Sequence, residues 1–103
     1  MSVMVEFSVL PVGKGVSLSP VVARVLDIVV KSGVIFKANP MGTVLEGSWE
    51  EVMGVVKKCH DEAMKDAERV VTSIKIDDRK GKEQRIEKKI ESLEQKLGMR
   101  LKT

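Results

Sequence analysis

With 103 residues the chain is long enough for one domain and too short for two, so any chemistry sits on one core or between copies of it. Hydrophobic residues at 43% and charged residues at 32% give a globular balance, while two Phe, one Trp and no Tyr leave few aromatics for stacking on bases. Much of the Lys and Arg behind the net charge of +3 lies beyond Asp78, interleaved with Glu83, Glu87, Glu91 and Glu94, a pattern of a solvated helix and not of a nucleic-acid groove.

Val3, Val5, Phe7 and Val9 alternate with Met4, Glu6, Ser8 and Leu10, so the chain opens with a strand that has one core face and one mixed face. Pro11, Gly13 and Gly15 end it and open a loop carrying Ser17 and Ser19. Ser19-Pro20 reads as the N-cap and first turn of a helix over 20–32, with Val22, Val25, Leu26 and Val29 as its apolar stripe and Gly33 as its stop. Val34 to Ala38 is a short strand, Asn39-Pro40 a turn, and Met41 to Gly47 the second strand of an antiparallel hairpin. Ser48 caps a second helix that ends near Lys65 or Asp66, and its stripe is Trp49, Val52, Met53, Val56, Cys59 and Ala63. Trp49, Met53 and Met64 are expected in the core. From Arg69 to Arg79, Val70, Thr72, Ile74 and Ile76 alternate with Val71, Ser73, Lys75 and Asp77 as a fourth strand.

The order βαββαβ predicts an α+β, ferredoxin-like sandwich: a four-stranded antiparallel sheet with two helices on one face and the other face open. An extra C-terminal helix follows Gly81 and runs to about Leu97; its narrow stripe of Ile86, Ile90, Leu93 and Leu97 calls for a partner, and Gly98 serves as C-cap. The chain thus divides into a domain over 1–80 and a charged helix over 81–103 that packs on the domain or on another subunit. Cys59 is alone, so no internal disulfide forms and a reducing compartment fits. No basic leader begins the chain, and no apolar run approaches the roughly 18 residues of a membrane span. The expectation is a soluble cytoplasmic protein without membrane contact.

Leu10-Pro11 followed by Gly13, Ser17 and Ser19, the run Asn39-Pro40-Met41-Gly42-Thr43 leading to Glu46-Gly47, and Thr72 to Arg79 together resemble the small thiamine-binding proteins of the YkoF-like group, once classed as conserved hypothetical proteins. The similarity covers about residues 3–80. It implies the ferredoxin-like fold, homodimers that pair through the open sheet faces and often associate into homotetramers, and binding of thiamine or its hydroxymethylpyrimidine part; no other cofactor and no catalysis are expected.

Thiamine presents an aminopyrimidine edge and a cationic thiazolium, so its site should combine a carboxylate, small hydroxyls and an apolar wall. Glu6 and Ser8 lie on the non-core face of the first strand, Glu6 as a ligand contact, an interface hydrogen-bonding group or a solvated side chain. Ser17 is free of other duty in the serine loop, whereas Ser19 either caps the helix or meets the ligand. Asn39, Met41 and Thr43 shape the hairpin turn or line the pocket, and Glu46 joins them if its strand turns it to the open face. His60 directly follows Cys59 and points elsewhere, so it reads as a helix-surface residue, and no cluster has catalytic or metal-ligand spacing. Asp77, Asp78 and Arg79 read as salt-bridge residues.

Three rival classes lack a required feature. An RNA-binding module of this topology stacks bases on open-sheet aromatics, and Phe7 here has core parity. An acylphosphatase-type enzyme needs an arginine in its phosphate loop, where this chain has Lys14, and a metallochaperone needs paired cysteines. An oligomeric scaffold or regulator without a small-molecule ligand remains the alternative.

Overall fold

The computed structural model describes residues 2–13, 19–81 and 86–102, with Ser19 described in its backbone alone. Seven elements follow one another: β1 (Val3–Val12), α1 (Ser19–Ser32), β2 (Ile35–Asn39), β3 (Gly42–Gly47), α2 (Trp49–Met64), β4 (Arg69–Asp77) and α3 (Ile86–Leu97). The strands form one antiparallel sheet in the order β2-β3-β1-β4, the arrangement expected for the split βαβ topology.

Register decides what each face carries, because residues directly opposite across an antiparallel ladder point to the same side. Val5 lies between Leu45 and Ile76, and Phe7 between Thr43 and Ile74. This is the face the helices cover. Leu45, Val5, Val29, Val52 and Cys59 are fully buried there, each aliphatic side chain stabilising the fold by roughly 1.5–3 kcal/mol. The Cys59 thiol donates to the Val25 carbonyl at 3.6 Å, tying α2 to α1, and burial pushes its pKa up to about 11. Arg24 of α1 reaches Glu62 and Asp66 of the second helical segment and its end.

β1 runs two residues past its expected end, through Pro11. The pairing with β3 stops at Phe7, so from Ser8 onward β1 pairs only with β4 and is free on its other edge, where a proline is tolerated. In α1 the buried side is Val25 and Val29 with Val21 and Ile28 beside them, and Val22 is exposed, a rotation of the expected stripe. α2 starts with a full capping box: the Ser48 hydroxyl accepts from the Glu51 N–H at 3.2 Å and the Glu51 carboxylate accepts from the Ser48 N–H at 3.3 Å. Its buried stripe is Val52, Val55, Val56, Cys59 and Ala63. Trp49 at 47% exposure and Met64 at 41% lie on the flank of that stripe, which corrects their placement in the core.

His60 also differs from expectation. It is half-buried, and its Nδ1 lies 2.6 Å from the Thr72 hydroxyl, a clasp between α2 and β4. α3 ends on a left-handed Gly98, φ +71°, whose N–H donates to the Glu94 carbonyl at 2.8 Å, the bond of an αL cap, while the Met99 N–H reaches the same oxygen at 3.2 Å. No residue of α3 is buried.

Candidate functional site

The face away from the helices is a ladder of cross-strand rungs. At one end stand Ile35, Glu46, Met4 and Asp77; next come Lys37, Val44, Glu6 and Lys75; then Ser8 opposite Ser73, Leu10 opposite Val71, and Val12 opposite Arg69. α3 begins over the first of these rungs. The Ile86 N–H donates to the Glu46 carboxylate at 2.8 Å, and Lys89 pairs with Asp77. Glu46 therefore does point to the open face, yet it is only 7% exposed, and its charge is placed against a helix N-terminus, where the backbone dipole favours it.

Beyond that covered end lies a shallow cavity of about 130 Å³, lined by Glu6, Ser8, Met41, Ser73 and Lys75. Phe7 and Ile74 belong to its floor through their main chain, since their side chains have the opposite parity. Four polar side chains thus form a square: Glu6 faces Lys75 and Ser8 faces Ser73. Met41 overhangs it from the two-residue hairpin loop, 90% exposed and without packing of its own. The exposed Leu10 and Val71 continue the face as an apolar rung.

Gly42 lies close against β1 and beside the Glu6 side chain. A Cβ there would stand 3.2 Å from the Phe7 carbonyl oxygen, a tight contact that the hairpin would have to relieve by a few tenths of an ångström, and 3.6 Å from Cγ of Glu6, an ordinary one.

Of the residues picked out in the sequence, Glu6, Ser8 and Met41 come together. Asn39 is exposed near the hairpin turn, outside the cavity lining. Thr43 faces the helices and is buried, paired with Phe7, and Glu46 serves the start of α3. Ser17 and the side chain of Ser19 lie outside the described residues. Ser73 and Lys75 were missed, although their parity in β4 opposite Val70, Thr72, Ile74 and Ile76 was the signal that could have found them. Among the described residues no group of three or more His, Cys, Asp or Glu is arranged to hold a metal ion. No described helix is long and apolar enough to cross a membrane.

A family model described as thiamine-binding protein matches residues 5–94. The chain belongs to the thiamine-binding protein family. A UPF0045 protein of Methanocaldococcus jannaschii is 41% identical over 91 residues, spanning 88% of this chain and 91% of that relative. The crystal structure of a hypothetical protein from Methanocaldococcus jannaschii matches with a TM-score of 0.84 at 40% identity, covering 89% of this chain and 95% of that one. A Thermotoga maritima protein, assigned provisionally to thiamine biosynthesis or salvage, matches with a TM-score of 0.80 at 28% identity, over 90% of this chain and 99% of its own. The thiamine-binding family match spans every element from β1 into α3, including both strands that bear the polar square.

Proposed function

We propose that this chain binds thiamine, or its hydroxymethylpyrimidine part, without catalysis, on the open face of the sheet and between copies of itself in a cytoplasmic homodimer or homotetramer. The observation that carries the reading is the polar square of Glu6, Ser8, Ser73 and Lys75, with the apolar Leu10–Val71 rung and Met41 beside it. Glu6 offers a carboxylate to the donor edge of an aminopyrimidine, and the two serines offer hydroxyls that donate or accept. Met41 and the Leu10–Val71 rung offer the apolar wall.

Size supports a site shared between subunits. A cavity of about 130 Å³ falls short of the roughly 300 Å³ at which small-molecule pockets begin, so this face alone does not enclose such a ligand, which favours a site completed by a second copy. A second sheet laid over the face supplies the remaining wall and also buries Met41, Leu10 and Val71. Binding without reaction fits the remaining groups: His60 is engaged by Thr72, and Cys59 is a buried thiol with its pKa pushed up to about 11, far from a working nucleophile.

Isothermal titration with thiamine and with hydroxymethylpyrimidine tests the reading, alongside light scattering. Saturable heat from one of them, weakened about tenfold or more in Glu6→Gln through loss of a charge-assisted hydrogen bond while the oligomer is unchanged, is the expected result. Absence of heat up to about a millimolar, where binding is worth only about 4 kcal/mol, overturns it in favour of an oligomeric scaffold.

A further inference from the structure

The open face carries charge that thiamine alone does not answer. Its two carboxylates at the α3 end are committed, Glu46 to the Ile86 N–H and Asp77 to Lys89. Glu46, whose partner is a neutral N–H, keeps its charge at that end, while at the cavity one carboxylate, Glu6, stands against two cations on the same rung, Lys37 and Lys75. Among the described residues neither Glu6 nor Lys75 has an ion-pair partner, although they stand directly opposite each other. A second sheet covering this face desolvates these groups, and an ammonium taken out of water without a counter-charge is costly. A ligand bearing only a thiazolium cation adds to that excess. A ligand with a cation or donor edge at one end and an anion a few ångströms away relieves it.

We infer that the site proposed above prefers the phosphomonoester of its aminopyrimidine ligand to the free alcohol, with Lys75 and Ser73 holding the phosphate while Glu6 holds the pyrimidine. The inference rests on that reading and names its ligand class more narrowly. Geometry allows the division of labour: cross-strand neighbours have Cβ atoms about 5 Å apart, and successive same-face residues on one strand lie about 7 Å apart. Glu6, Ser8, Ser73 and Lys75 thus span the dimensions of a pyrimidine and its attached phosphate. Lys75 acts as a point charge toward the phosphate oxygens, and the Ser73 hydroxyl donates to one of them. A phosphomonoester carries about 1.5–2 negative charges at neutral pH, which offsets the cations of one face.

The test is titration of the full-length chain with thiamine and thiamine monophosphate, and with hydroxymethylpyrimidine and its phosphate, in wild type, Lys75→Met and Lys75→Arg. Inorganic phosphate alone is run as a control, and light scattering reports assembly. In wild type the ester should bind about tenfold tighter than the alcohol or better, with the gap narrowing as salt rises. Lys75→Met should weaken the ester about tenfold more than it weakens the alcohol and so erase the preference, whereas Lys75→Arg keeps most of it. Equal affinities in wild type, or an equal loss for ester and alcohol in Lys75→Met, overturn this inference and leave thiamine binding standing. Failure of both alcohol and ester to bind overturns the parent reading with it.

Discussion

The two faces of one sheet are built from the same four strands and do opposite work. On the helix side Val5, Phe7 and Leu45 are shut from water, and their neighbours are Val29, Val52, Val56 and Cys59. On the other side, one residue along each strand, stand Glu6, Ser8, Val44, Ser73 and Lys75, partly or fully exposed, with Met41 unsupported above them. The period of two separates the residues that hold the core from those of the proposed site, so substitutions can be aimed at one set without the other.

Adjacent residues of β3 offer the sharpest way to break that division. Leu45→Ala empties a fully buried site and should cost about 2–5 kcal/mol, whereas Val44→Ala, facing the other way, should cost less than about 1 kcal/mol. Urea melts at one protein concentration measure both. Equal losses would mean that the open face also carries the fold.

How much of this was legible in the sequence follows the same line. Alternation within a strand is a local property, so the core parity of Phe7 and the open parity of Glu6 and Ser8 could be read directly. The Ser48 cap, the hairpin at Asn39-Pro40 and the Gly98 stop could be read as well, because each depends on a few neighbouring residues. What pairs with what is not local. Ser73 and Lys75 join Glu6 and Ser8 only through the β1–β4 register, across more than sixty residues of chain, and Glu46 is drawn to α3 from forty residues away. Pro11 read as a strand end because its missing donor matters only where both edges are paired, and here one is free. Trp49 read as core because helical spacing gives a stripe but not its centre, which tertiary packing shifted toward Val55. His60 read as surface because its partner, Thr72, lies on another element.

The smallest expected effect separates the faces by chemistry instead of energy. Cys59 has its folded pKa raised from 9.0 to about 11 by burial, so its contribution is fully present below pH 9 and is lost as pH rises toward 11. The stability difference between wild type and Cys59→Ala should therefore be flat from pH 6 to 8 and shrink above about pH 9. In the native protein at pH 8 iodoacetamide should label Cys59 no faster than global unfolding permits. Rapid native labelling would show that the helix-covered face opens to solvent.

The most direct test of the account is a crystal structure of the protein grown with hydroxymethylpyrimidine phosphate. The account predicts a pyrimidine within hydrogen-bonding distance of the Glu6 carboxylate, its phosphate toward Lys75 and Ser73, and the sheet of a second copy closing over both. A ligand bound instead among the helices or near the exposed stripe of α3, with the square of Glu6, Ser8, Ser73 and Lys75 left to solvent, would contradict it.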